Sequence, residues 1–551
     1  MKLPLRYAIG LLAAPLPILA LAVVPAHAAT PFGQAGVSLR GDVVPAVAQA
    51  TRTGAVAANQ SIAVTVSLAV RDQAGLQTFL QQVADPASAQ YKHYLTVKQF
   101  AQRFGATQDS IAQVTAYLAG HGLTVGKVAA NGLTLTAHGS AAQVQKAFGT
   151  TIATYRDASG KRSFYANTNA PVLPEAIASA VADVSGLSDY AVSHQDAVKA
   201  PATRSAASPK ASVAGFTPTQ IRSGYNLTGP IASGYTGAGK TVALEEFSAF
   251  TQSDVTTYDK KFSLTPSTPV VVKSDGGTTD TSGEDEVELD IEVVQAIAPG
   301  ATIKVYEAPN SDAGEAAVYA QLVSDDVPII STSWGQDEAA ETPSNRVALN
   351  TDFQEAAAQG QSIYAASGDS GSDDAGNGGT SVDFPASDPY VTGAGGTTLK
   401  LASSGAWSSE KAWSDSGGGI SSYFATPSFQ TSVNSGSYRD VPDVAADANP
   451  STGWAIYTEG AWAEYGGTSA AAPNWAAFTA IYDDEAAALN KPALGFANAS
   501  IYTLAESANY KSAFHDVTSG SNGAYSAGTG YDKVTGWGSY NGANFLSDEL
   551  G

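Results

Sequence analysis

Cysteine is absent from the 551-residue chain, and methionine occurs only once. No disulfide can link distant segments, so the fold must be held by its core, its hydrogen bonds or a metal ion. Charged residues make up only 15% of the sequence against 44% hydrophobic residues, a balance typical of a packed protein rather than a disordered one. A chain of this length is expected to form two or three domains.

Basic residues are also few: 29 lysines and arginines face 51 aspartates and glutamates, which leaves a net charge of -22. The first 200 residues hold 14 basic and 9 acidic residues, and the remainder holds 15 and 42. A mildly basic N-terminal part therefore precedes a strongly acidic body, which argues against nucleic acid as a partner. Composition leaves two explanations of this acidity open: solubility, or adaptation to low pH.

Long apolar runs are missing except at the N-terminus. There, basic residues precede an apolar run from Ala8 to Val24, and the small-x-small pattern Ala26-His27-Ala28 follows. This order predicts a signal peptide over residues 1–28 and hence a secreted protein, while the prolines inside the run argue against a membrane anchor. No later stretch reaches roughly 18 apolar residues, so we expect no membrane contact once the signal peptide is removed.

Two hydrophobic periods divide the rest of the chain. Alternating strands and helical spacings of the N-terminal part predict a small α+β domain over residues 29–192. Residues 193–212 are rich in Ala, Ser, Pro and Lys and are interpreted as an exposed linker open to proteolysis. Over residues 213–551 short apolar strands alternate with helices, which predicts an α/β fold with a largely parallel sheet.

Ser469 is a candidate nucleophile. It follows Gly466-Gly467-Thr468 and precedes Ala470-Ala471-Ala472-Pro473, between a strand-like and a helical stretch. Glycines allow a tight turn, and the start of a helix favours negative charge. A simple helix cap explains this serine equally well from these residues alone.

Histidine, the usual base for such a serine, is scarce. Of six histidines only His515, next to Asp516, lies in the acidic body, so a Ser-His-Asp arrangement there would have to use it. The helical spacing of residues 283–297 instead places Glu286 and Asp290 on the face expected to be buried, with Glu288, Glu292 and Gln295 on the opposite side. Adjacent buried carboxylates share a proton, which makes one of them a proton acceptor.

Asp369, in Gly368-Asp369-Ser370-Gly371, follows a predicted strand. A turn aspartate is the simpler interpretation. If it is protonated, it could instead donate a hydrogen bond to an oxyanion.

With these motifs in this order, the sequence resembles the sedolisin family of serine-carboxyl peptidases, and its kumamolisin-like members in particular. The segment Tyr91-Lys92-His93-Tyr94-Leu95-Thr96 is similar to a propeptide motif of that family. The resemblance implies an α/β, subtilisin-like catalytic domain with a mostly parallel sheet over residues 213–551. It also implies a ferredoxin-like inhibitory and chaperoning prodomain over residues 29–192, joined by an activation linker at residues 193–212.

The same resemblance assigns roles to the candidate residues. Glu286 would exchange a proton with Ser469, Asp290 would orient Glu286 and share its proton, and Asp369 would complete the oxyanion hole. Glu246, which adjoins Glu245, and Trp334 would extend the proton network. Substrate would bind at Ser333, Trp334, Gly335, Asp383 and Gly417.

A single structural Ca²⁺ ion is implied near the C-terminus. Its ligands would be carboxylates and backbone carbonyls, the oxygen donors that this hard cation prefers, from Asp516, Val517, Gly528, Gly530 and Asp532. A Gly-rich surface loop with incidental acids is the alternative interpretation.

We therefore expect a secreted, monomeric, acid-active serine endopeptidase that cleaves proteins or peptides and activates itself by removing its own inhibitory propeptide. Charge attraction between the basic leader and the acidic body would help to hold that propeptide. Two alternatives remain at this stage. One is a non-catalytic secreted binding domain on the same fold, and the other is a pepsin-like aspartic peptidase, which would leave the Ser469 motif unexplained.

Overall fold

The computed structural model describes residues 36–39, 41, 43–201, 213–265 and 268–551. The predicted signal peptide and residues 202–212 of the predicted linker lie outside the described residues. Within the described part of the chain, no helix combines the length and the apolar character needed to cross a bilayer.

The N-terminal domain, residues 36–192, is built from antiparallel strands and short helices. Its strands are β1 (Gly36–Ser38), β2 (Thr51–Ala55), β3 (Ser61–Leu68), β4 (Thr124–Val125), β5 (Thr134–Ser140), β6 (Ile152–Arg156), β7 (Ser163–Asn167), β8 (Val172–Pro174) and β9 (Val181–Ser185). Its α-helices are α1 (Gln73–Ala84), α2 (Val97–Arg103), α3 (Gln108–Gly120), α4 (Ala141–Ala147) and α5 (Glu175–Ala178). The antiparallel order β4-β5-β3-β9 forms its main sheet, which confirms the predicted small α+β domain.

Two short strands follow this domain, and both pair with the body, residues 213–551. They are β10 (His194–Gln195) and β11 (Val198–Lys199). The first pairs with a strand around Trp334 and the second with a strand around Tyr465. The segment predicted to be an exposed linker is therefore hydrogen-bonded to the body over residues 194–199.

The body alternates strands and helices, as the sequence predicts. Its strands are β12 (Thr241–Glu246), β13 (Val270–Lys273), β14 (Thr302–Glu307), β15 (Ile329–Thr332), β16 (Trp334–Asp337), β17 (Ser362–Ala366), β18 (Asp383–Phe384), β19 (Thr392–Leu401), β20 (Trp407–Ala412), β21 (Gly419–Ala425), β22 (Tyr438–Val441), β23 (Val444–Asp447), β24 (Trp454–Thr458), β25 (Ala461–Gly466), β26 (Phe514–His515) and β27 (Ser539–Tyr540). Its α-helices are α6 (Pro218–Gly224), α7 (Thr228–Ala232), α8 (Gln252–Phe262), α9 (Glu284–Ile297), α10 (Asp312–Ser324), α11 (Pro343–Gln359), α12 (Thr468–Ala488), α13 (Ala497–Ala505), α14 (Tyr510–Ala513) and α15 (Gly542–Leu550).

A mostly parallel sheet forms the centre of the body. Its order is β13-β14-β12-β15-β17-β19-β20, with β23 also pairing with β19. Every pair is parallel except β19 with β20. The central strands are buried because helices cover both faces, which explains their continuous apolar runs. The predicted α/β fold class is confirmed.

Helices α9 and α12 pack against each other and carry the candidate active-site residues. The contact belongs to the largest core cluster, to which α9 contributes Val287, Val293 and Ile297 and α12 contributes alanines and Trp475. The small alanine side chains of α12 let it lie close to α9 and to the sheet. The carboxyl-bearing helix and the serine-bearing helix are thereby held in a fixed relation.

Helix α9 departs from its predicted amphipathic character. Glu288 and Glu292 are fully buried, although the spacing placed them on the side opposite the buried face. The reason is a second covering layer: Thr251 N–H donates to Glu288 Oε1 at 3.0 Å, and Tyr457 N–H donates to Glu292 Oε2 at 2.9 Å. Backbone N–H groups of the covering segments thus supply the hydrogen bonds that Glu288 and Glu292 would otherwise receive from water.

The N-terminal domain docks on the body mainly through packing and hydrogen bonds. Leu95 N–H donates to Ala358 O at 2.9 Å, and Asn131 Nδ2 donates to Glu355 Oε2 at 2.9 Å. Within the described residues one ion pair joins the two, between His138 and Asp275 at 3.0 Å. The charge of Lys92 also acts to lower the pKa of Asp483 and Glu549 of the body, against the effect of burial. The charge attraction expected from the unequal composition of the two parts thus stays a prediction.

Tyr94 is a specific anchor of this interface. Its ring lies where side chains on Gly360 and Gly495 would be, since a Cβ on either glycine would come within 2.3 Å of Tyr94 atoms. The Tyr94 hydroxyl accepts a hydrogen bond from Phe496 N–H at 3.1 Å. The two glycines thus form a slot for a half-buried aromatic residue of the N-terminal domain.

We predict that Tyr94→Ala in the full chain loosens this docking, because the slot is left empty and Phe496 N–H loses its acceptor. Replacing an aromatic ring in a protein core by alanine lowers stability by about 3–5 kcal/mol. Even a part of that loss should accelerate hydrogen exchange of the Phe496 amide at least about tenfold. Hydrogen-exchange mass spectrometry measures this. Tyr117→Ala is the matched control, because the Tyr117 hydroxyl bonds to Ala147 O inside the N-terminal domain. Equal protection of Phe496 in wild type and Tyr94→Ala would contradict the anchor.

Candidate active site

Ser469 lies in the first turn of α12 and is fully buried. The preceding cap residue, Gly467, has a φ of 103°, a left-handed conformation that favours glycine. A Cβ at this position would also lie 1.8 Å from the carbonyl oxygen of Asp196. The turn therefore requires glycine, and it places Ser469 at the positive end of the α12 dipole.

The Ser469 hydroxyl donates a hydrogen bond to Glu286 Oε2 at 2.9 Å. Glu286 is fully buried, and its other oxygen has no hydrogen-bond partner among the described residues. Asp290, one helical turn further along α9, is also fully buried. The structure thus brings together the serine and the carboxyl pair that the sequence singled out.

Both carboxyl groups of this pair are harder to ionise than usual. Burial, followed by the charges of Asp290 and Glu246, raises the pKa of Glu286 well above its ordinary value. Burial also raises the pKa of Asp290, although a hydrogen bond from Ser333 opposes the shift. Because two adjacent buried negative charges are unfavourable, the arrangement favours a proton shared between them.

Ser333 positions Asp290. Its hydroxyl donates to the two Asp290 carboxyl oxygens at 2.8 and 3.0 Å, and it also lies 3.3 Å from the Ser469 carbonyl oxygen. The Ser333 backbone carbonyl in turn accepts the Asp196 N–H at 3.2 Å. The residue predicted to bind substrate therefore contacts the carboxyl pair with its side chain and the linker with its backbone.

Glu246 and Trp334 are hydrogen-bonded as the proton network requires. Trp334 Nε1 donates to Glu246 Oε2 at 2.7 Å, and burial raises the pKa of Glu246 well above its ordinary value, with the charge of Asp290 adding to the shift. Glu245 accepts instead from the Thr332 hydroxyl at 2.7 Å. Adjacent residues of a strand point to opposite faces, so the two glutamates bond to different partners. The charge of Asp290 raises the pKa of Glu246, and the charge of Glu245 also contributes to the raised pKa of Asp290.

Asp369 lies beside the turn that holds Ser469. Its Oδ1 accepts hydrogen bonds from the Thr468 N–H at 2.7 Å and the Thr468 hydroxyl at 2.8 Å. Its Oδ2 has no partner among the described residues and lies 2.7 Å from the Cβ position built on Gly467. Burial and then the charge of Asp196 raise the pKa of Asp369 well above its ordinary value. A protonated Oδ2 would be free to donate toward this space.

The linker occupies the space in front of these groups. Asp196 is buried, and Ala197 N–H donates to Glu286 Oε2 at 2.7 Å. Strand pairing with the body therefore holds residues 194–199 in place: Asp196 is buried, Gln195, Ala197 and Val198 are half-buried, and His194 and Lys199 stay exposed.

Known proteins resemble the chain over almost its whole length. Residues 48–190 match the family model described as "Pro-kumamolisin, activation domain", and residues 276–538 match the subtilase family. Kumamolisin from Bacillus sp. (strain MN-32) is 34% identical over 532 residues, covering 90% of this chain and 93% of the relative. Sedolisin from Pseudomonas sp. (strain 101) is 34% identical over 520 residues, covering 88% and 86%. The chain belongs to the sedolisin family of serine-carboxyl peptidases.

A solved structure agrees with this membership. Pseudomonas sedolisin, a serine-carboxyl proteinase complexed with two molecules of pseudo-iodotyrostatin, superposes with a TM-score of 0.56 at 32% identity. The match covers 61% of this chain and 98% of that structure. The predictions of a sedolisin-type peptidase and of an N-terminal activation domain are confirmed. The roles of individual site residues stay predictions.

Asp383 is one of the residues predicted to bind substrate. Asp383 is fully buried in β18, and neither of its carboxyl oxygens has a partner among the described residues. A Cβ on Gly335 would lie 2.1 Å from Asp383 Oδ1, so glycine at 335 leaves room for this carboxyl group. Asp374, which the sequence did not single out, is close enough for its charge to raise the pKa of Asp383, after burial as the main cause.

Gly417, predicted to bind substrate, packs closely against the segment that leads to Asp369. Its N–H donates to Gly368 O at 2.7 Å, and its carbonyl accepts the Ser367 hydroxyl at 2.8 Å. A Cβ at Gly417 would lie 1.8 Å from Ser367 O, so this close approach requires glycine. Its role in binding substrate stays a prediction.

His515 takes no part in the Ser469 hydrogen bond. Its ring stacks on Trp407 with centroids 4.2 Å apart and planes 4° apart, and burial lowers its pKa. The base in contact with Ser469 is the carboxyl group of Glu286. The Ser-His-Asp alternative is therefore not the arrangement found in this family member.

The residues predicted to hold calcium lie together near the C-terminus. Gly530 N–H donates to Asp516 Oδ1 and Gly528 N–H donates to Asp532 Oδ2, each at 3.0 Å. The Tyr510 hydroxyl donates to Asp516 Oδ1 at 3.0 Å. Val517 is buried next to Asp516. This donor set of carboxylates and carbonyls fits a hard cation.

Two other groups of described residues have ligand atoms close enough to share a metal ion. They are His194 with Asp374 and Asp383, and Asp254 with Glu284 and Glu288. The first group includes His194 of the linker, and the second includes Glu284 and Glu288 at the start of α9. Neither group includes the predicted calcium ligands.

Proposed function

We propose that this sedolisin-family peptidase is a secreted endopeptidase that cleaves proteins or peptides in acid through an acyl-enzyme on Ser469. The observation that carries the proposal is the 2.9 Å hydrogen bond from the Ser469 hydroxyl to a buried Glu286 whose neighbour Asp290 is buried as well. A base of this kind needs no imidazole, because burial of the carboxyl pair gives it the proton affinity that an ordinary carboxylate lacks.

In the proposed reaction, Ser469 Oγ attacks the substrate carbonyl while Glu286 Oε2 accepts the hydroxyl proton. Glu286 then returns a proton to the leaving amine, and water hydrolyses the ester. Asp290, held by the Ser333 hydroxyl, keeps Glu286 oriented and shares its proton. Glu246, held by Trp334 Nε1, continues the network behind Asp290.

Asp369 serves in the proposed oxyanion hole. Its raised pKa keeps it protonated in acid, and its unpartnered Oδ2 lies beside Gly467, next to the expected position of the substrate carbonyl oxygen. A donor aimed at the developing negative charge is worth about 3–4 kcal/mol in comparable peptidase sites. Substrate would pair with β16 at Ser333, Trp334 and Gly335 and extend a side chain toward Asp383.

The same proposal sets the organisation of the precursor. Residues 1–28 act as the signal peptide, residues 29–192 as an intramolecular inhibitor and chaperone, residues 193–212 as the activation linker, and residues 213–551 as the catalytic domain. The mature enzyme is a secreted monomer. The linker in front of Glu286 supports the inhibitory role, because it occupies the space that a substrate needs.

We predict that Glu286→Gln lowers the rate of casein hydrolysis about a hundredfold to ten-thousandfold, because an amide has the same shape but cannot take the serine proton. The variant precursor is processed by tagged wild-type enzyme, which is then removed before the assay. Glu288→Gln, on the opposite side of α9 and bonded to Thr251 N–H, is the matched control and should keep the rate within a few-fold. A folded, processed Glu286→Gln enzyme with the wild-type rate would refute the mechanism.

The pH dependence of the mature enzyme follows from the pKa directions. Glu286, Asp290 and Asp369 all have pKa values raised well above the ordinary carboxyl range. The active form needs a protonated Asp369 and one proton on the carboxyl pair, so the rate should be high in acid and fall as the pH rises through these values. Initial rates on a peptide substrate between pH 3 and pH 8 test this, with a return to pH 4 as the control for irreversible loss. A rate that climbs steadily from pH 4 to pH 8 would contradict it.

We further propose that Asp516, Asp532 and the carbonyls of Val517, Gly528 and Gly530 bind one structural Ca²⁺ ion. The ion would neutralise two carboxylates and tie down the C-terminal loop in a chain without disulfides. It would serve stability rather than the reaction.

We predict that a chelator lowers the melting temperature of the mature enzyme by roughly 5–10 °C, the shift expected when an ion bound well above its dissociation constant is removed. Asp532→Asn should abolish this response. Asp484→Asn is the matched control: Asp484 accepts the N–H groups of Thr236, Gly237 and Ala238 elsewhere in the body, so its variant should still respond to the chelator. Metal analysis that finds no calcium in purified mature protein would exclude the site.

A further inference from the structure

The linker crosses the candidate active site as two short strands separated by Asp196 and Ala197. On the N-terminal side, β10 pairs antiparallel with β16, His194 opposite Gly335 and Gln195 opposite Trp334. Asp196 N–H continues this ladder to Ser333 O at 3.2 Å. Main-chain pairing of this kind is how extended peptides are recognised along a strand edge.

On the C-terminal side, β11 pairs antiparallel with β25. Val198 lies opposite Gly466 and Lys199 opposite Tyr465, and Ala200 N–H donates to Glu464 O at 2.8 Å. The sequence did not single out β25 as a substrate-binding edge. Since strand pairing holds the linker on both sides, only the Asp196–Ala197 and Ala197–Val198 peptide bonds lie between the two ladders, and the contacts of their atoms distinguish them.

The nitrogen and the carbonyl group of the Asp196–Ala197 peptide bond lie close to the catalytic groups that cleavage requires. The Ala197 N–H donates at 2.7 Å to Glu286 Oε2, the same oxygen that accepts the Ser469 hydroxyl at 2.9 Å. One carboxyl oxygen therefore touches both the proton of the nucleophile and the nitrogen that would leave. Proton transfer between them requires no movement of α9.

The carbonyl side of the bond points to the expected oxyanion position. A Cβ built on Gly467 would lie 1.8 Å from the Asp196 carbonyl oxygen and 2.7 Å from Asp369 Oδ2. The carbonyl oxygen and the unpartnered Asp369 oxygen thus share the small space that glycine leaves at this turn. This is the environment in which negative charge on the Asp196 oxygen would be stabilised.

We propose that the Asp196–Ala197 peptide bond is the first bond that the precursor cuts in itself, so that the mature chain begins at Ala197. This inference rests on the proposed peptidase mechanism. In the step, Ser469 Oγ bonds to the Asp196 carbonyl carbon, the bond to Ala197 nitrogen breaks, and Glu286 carries the serine proton to that nitrogen. Water then hydrolyses the ester, which returns Ser469 and leaves Asp196 as the C-terminus of the propeptide.

The position of Asp196 also defines what the site accepts next to the cut. Its side chain is buried, with His194 Nδ1 3.3 Å from Oδ1 and no described partner for Oδ2. The charge of Asp196 adds to the raised pKa values of Asp369, Asp374, Asp383 and Glu286, so these acidic groups surround it. The site thus admits a short acidic side chain on the N-terminal side of the cleaved bond.

The test follows the first cut over time. Purified precursor is shifted to acid, quenched at short intervals and analysed by intact mass and N-terminal sequencing, with Ser469→Ala alongside. We expect the earliest pair of fragments to end at Asp196 and begin at Ala197, and we expect no fragments from Ser469→Ala. An earliest pair broken at another bond overturns the inference, even if casein is digested normally. A wild-type protein that neither cuts itself nor digests casein overturns the proposed function, and the inference with it.

A pair of variants at the leaving nitrogen sharpens the result. Ala197→Pro removes the N–H that contacts Glu286 and should slow release of the Asp196 fragment at least a hundredfold, whereas Ala197→Gly keeps the N–H and should stay within a few-fold of wild type. Equal release of that fragment from both variants overturns the inference. Melting temperatures of both changes in the Ser469→Ala background show that the precursor fold is intact, and the wild-type fragment map does not depend on either variant.

Discussion

The structure depends on the burial of carboxyl groups without partner cations. Glu246, Glu286 and Asp290 are all fully buried, and within the described part of the chain no lysine, arginine or histidine forms an ion pair with any of them. A buried charge without a counter-charge is expensive, so such groups are neutral or share protons. The bonds they make come from Ser469, Ser333, Trp334 and backbone amides, which are donors that suit a carboxyl group in either state.

This constraint couples the fold to pH. A carboxyl group whose pKa is higher in the folded state than in the unfolded state holds its proton more tightly when the protein is folded. Its contribution to folding stability is fully present below the unfolded-state pKa and is lost as the pH rises through the folded-state pKa. The raised pKa values of Glu292, Asp312, Glu315 and Glu355, each caused mainly by burial, extend the effect beyond the active site. Part of the acidic composition of the body thus lies in its interior. Neither solubility nor the charge of the surface accounts for these buried residues.

The linker and the N-terminal domain show how one chain can hold its own active site closed. Tyr94 and the backbone of Leu95 fasten the domain to the body, and the linker then runs between β16 and β25 with Ala197 on Glu286. Among the described residues these contacts are mostly hydrogen bonds and packing, with one ion pair between His138 and Asp275.

The sequence by itself determined the fold class and the order of an N-terminal domain and an α/β body, and it singled out Ser469 and the Glu286/Asp290 pair as candidates. These are carried by local signals: the periods of strands and helices, the i and i+4 positions of Glu286 and Asp290, and the glycines before Ser469. Only the tertiary structure decided the rest. It brought Ser469 within hydrogen-bond distance of Glu286, bonded Trp334 to Glu246 while Glu245 accepts from Thr332, buried Glu288 and Glu292, and paired residues 194–199 with β16 and β25. Each of these depends on which segment, distant in sequence, covers a given face, and neither periodicity nor composition of the segment itself contains that information.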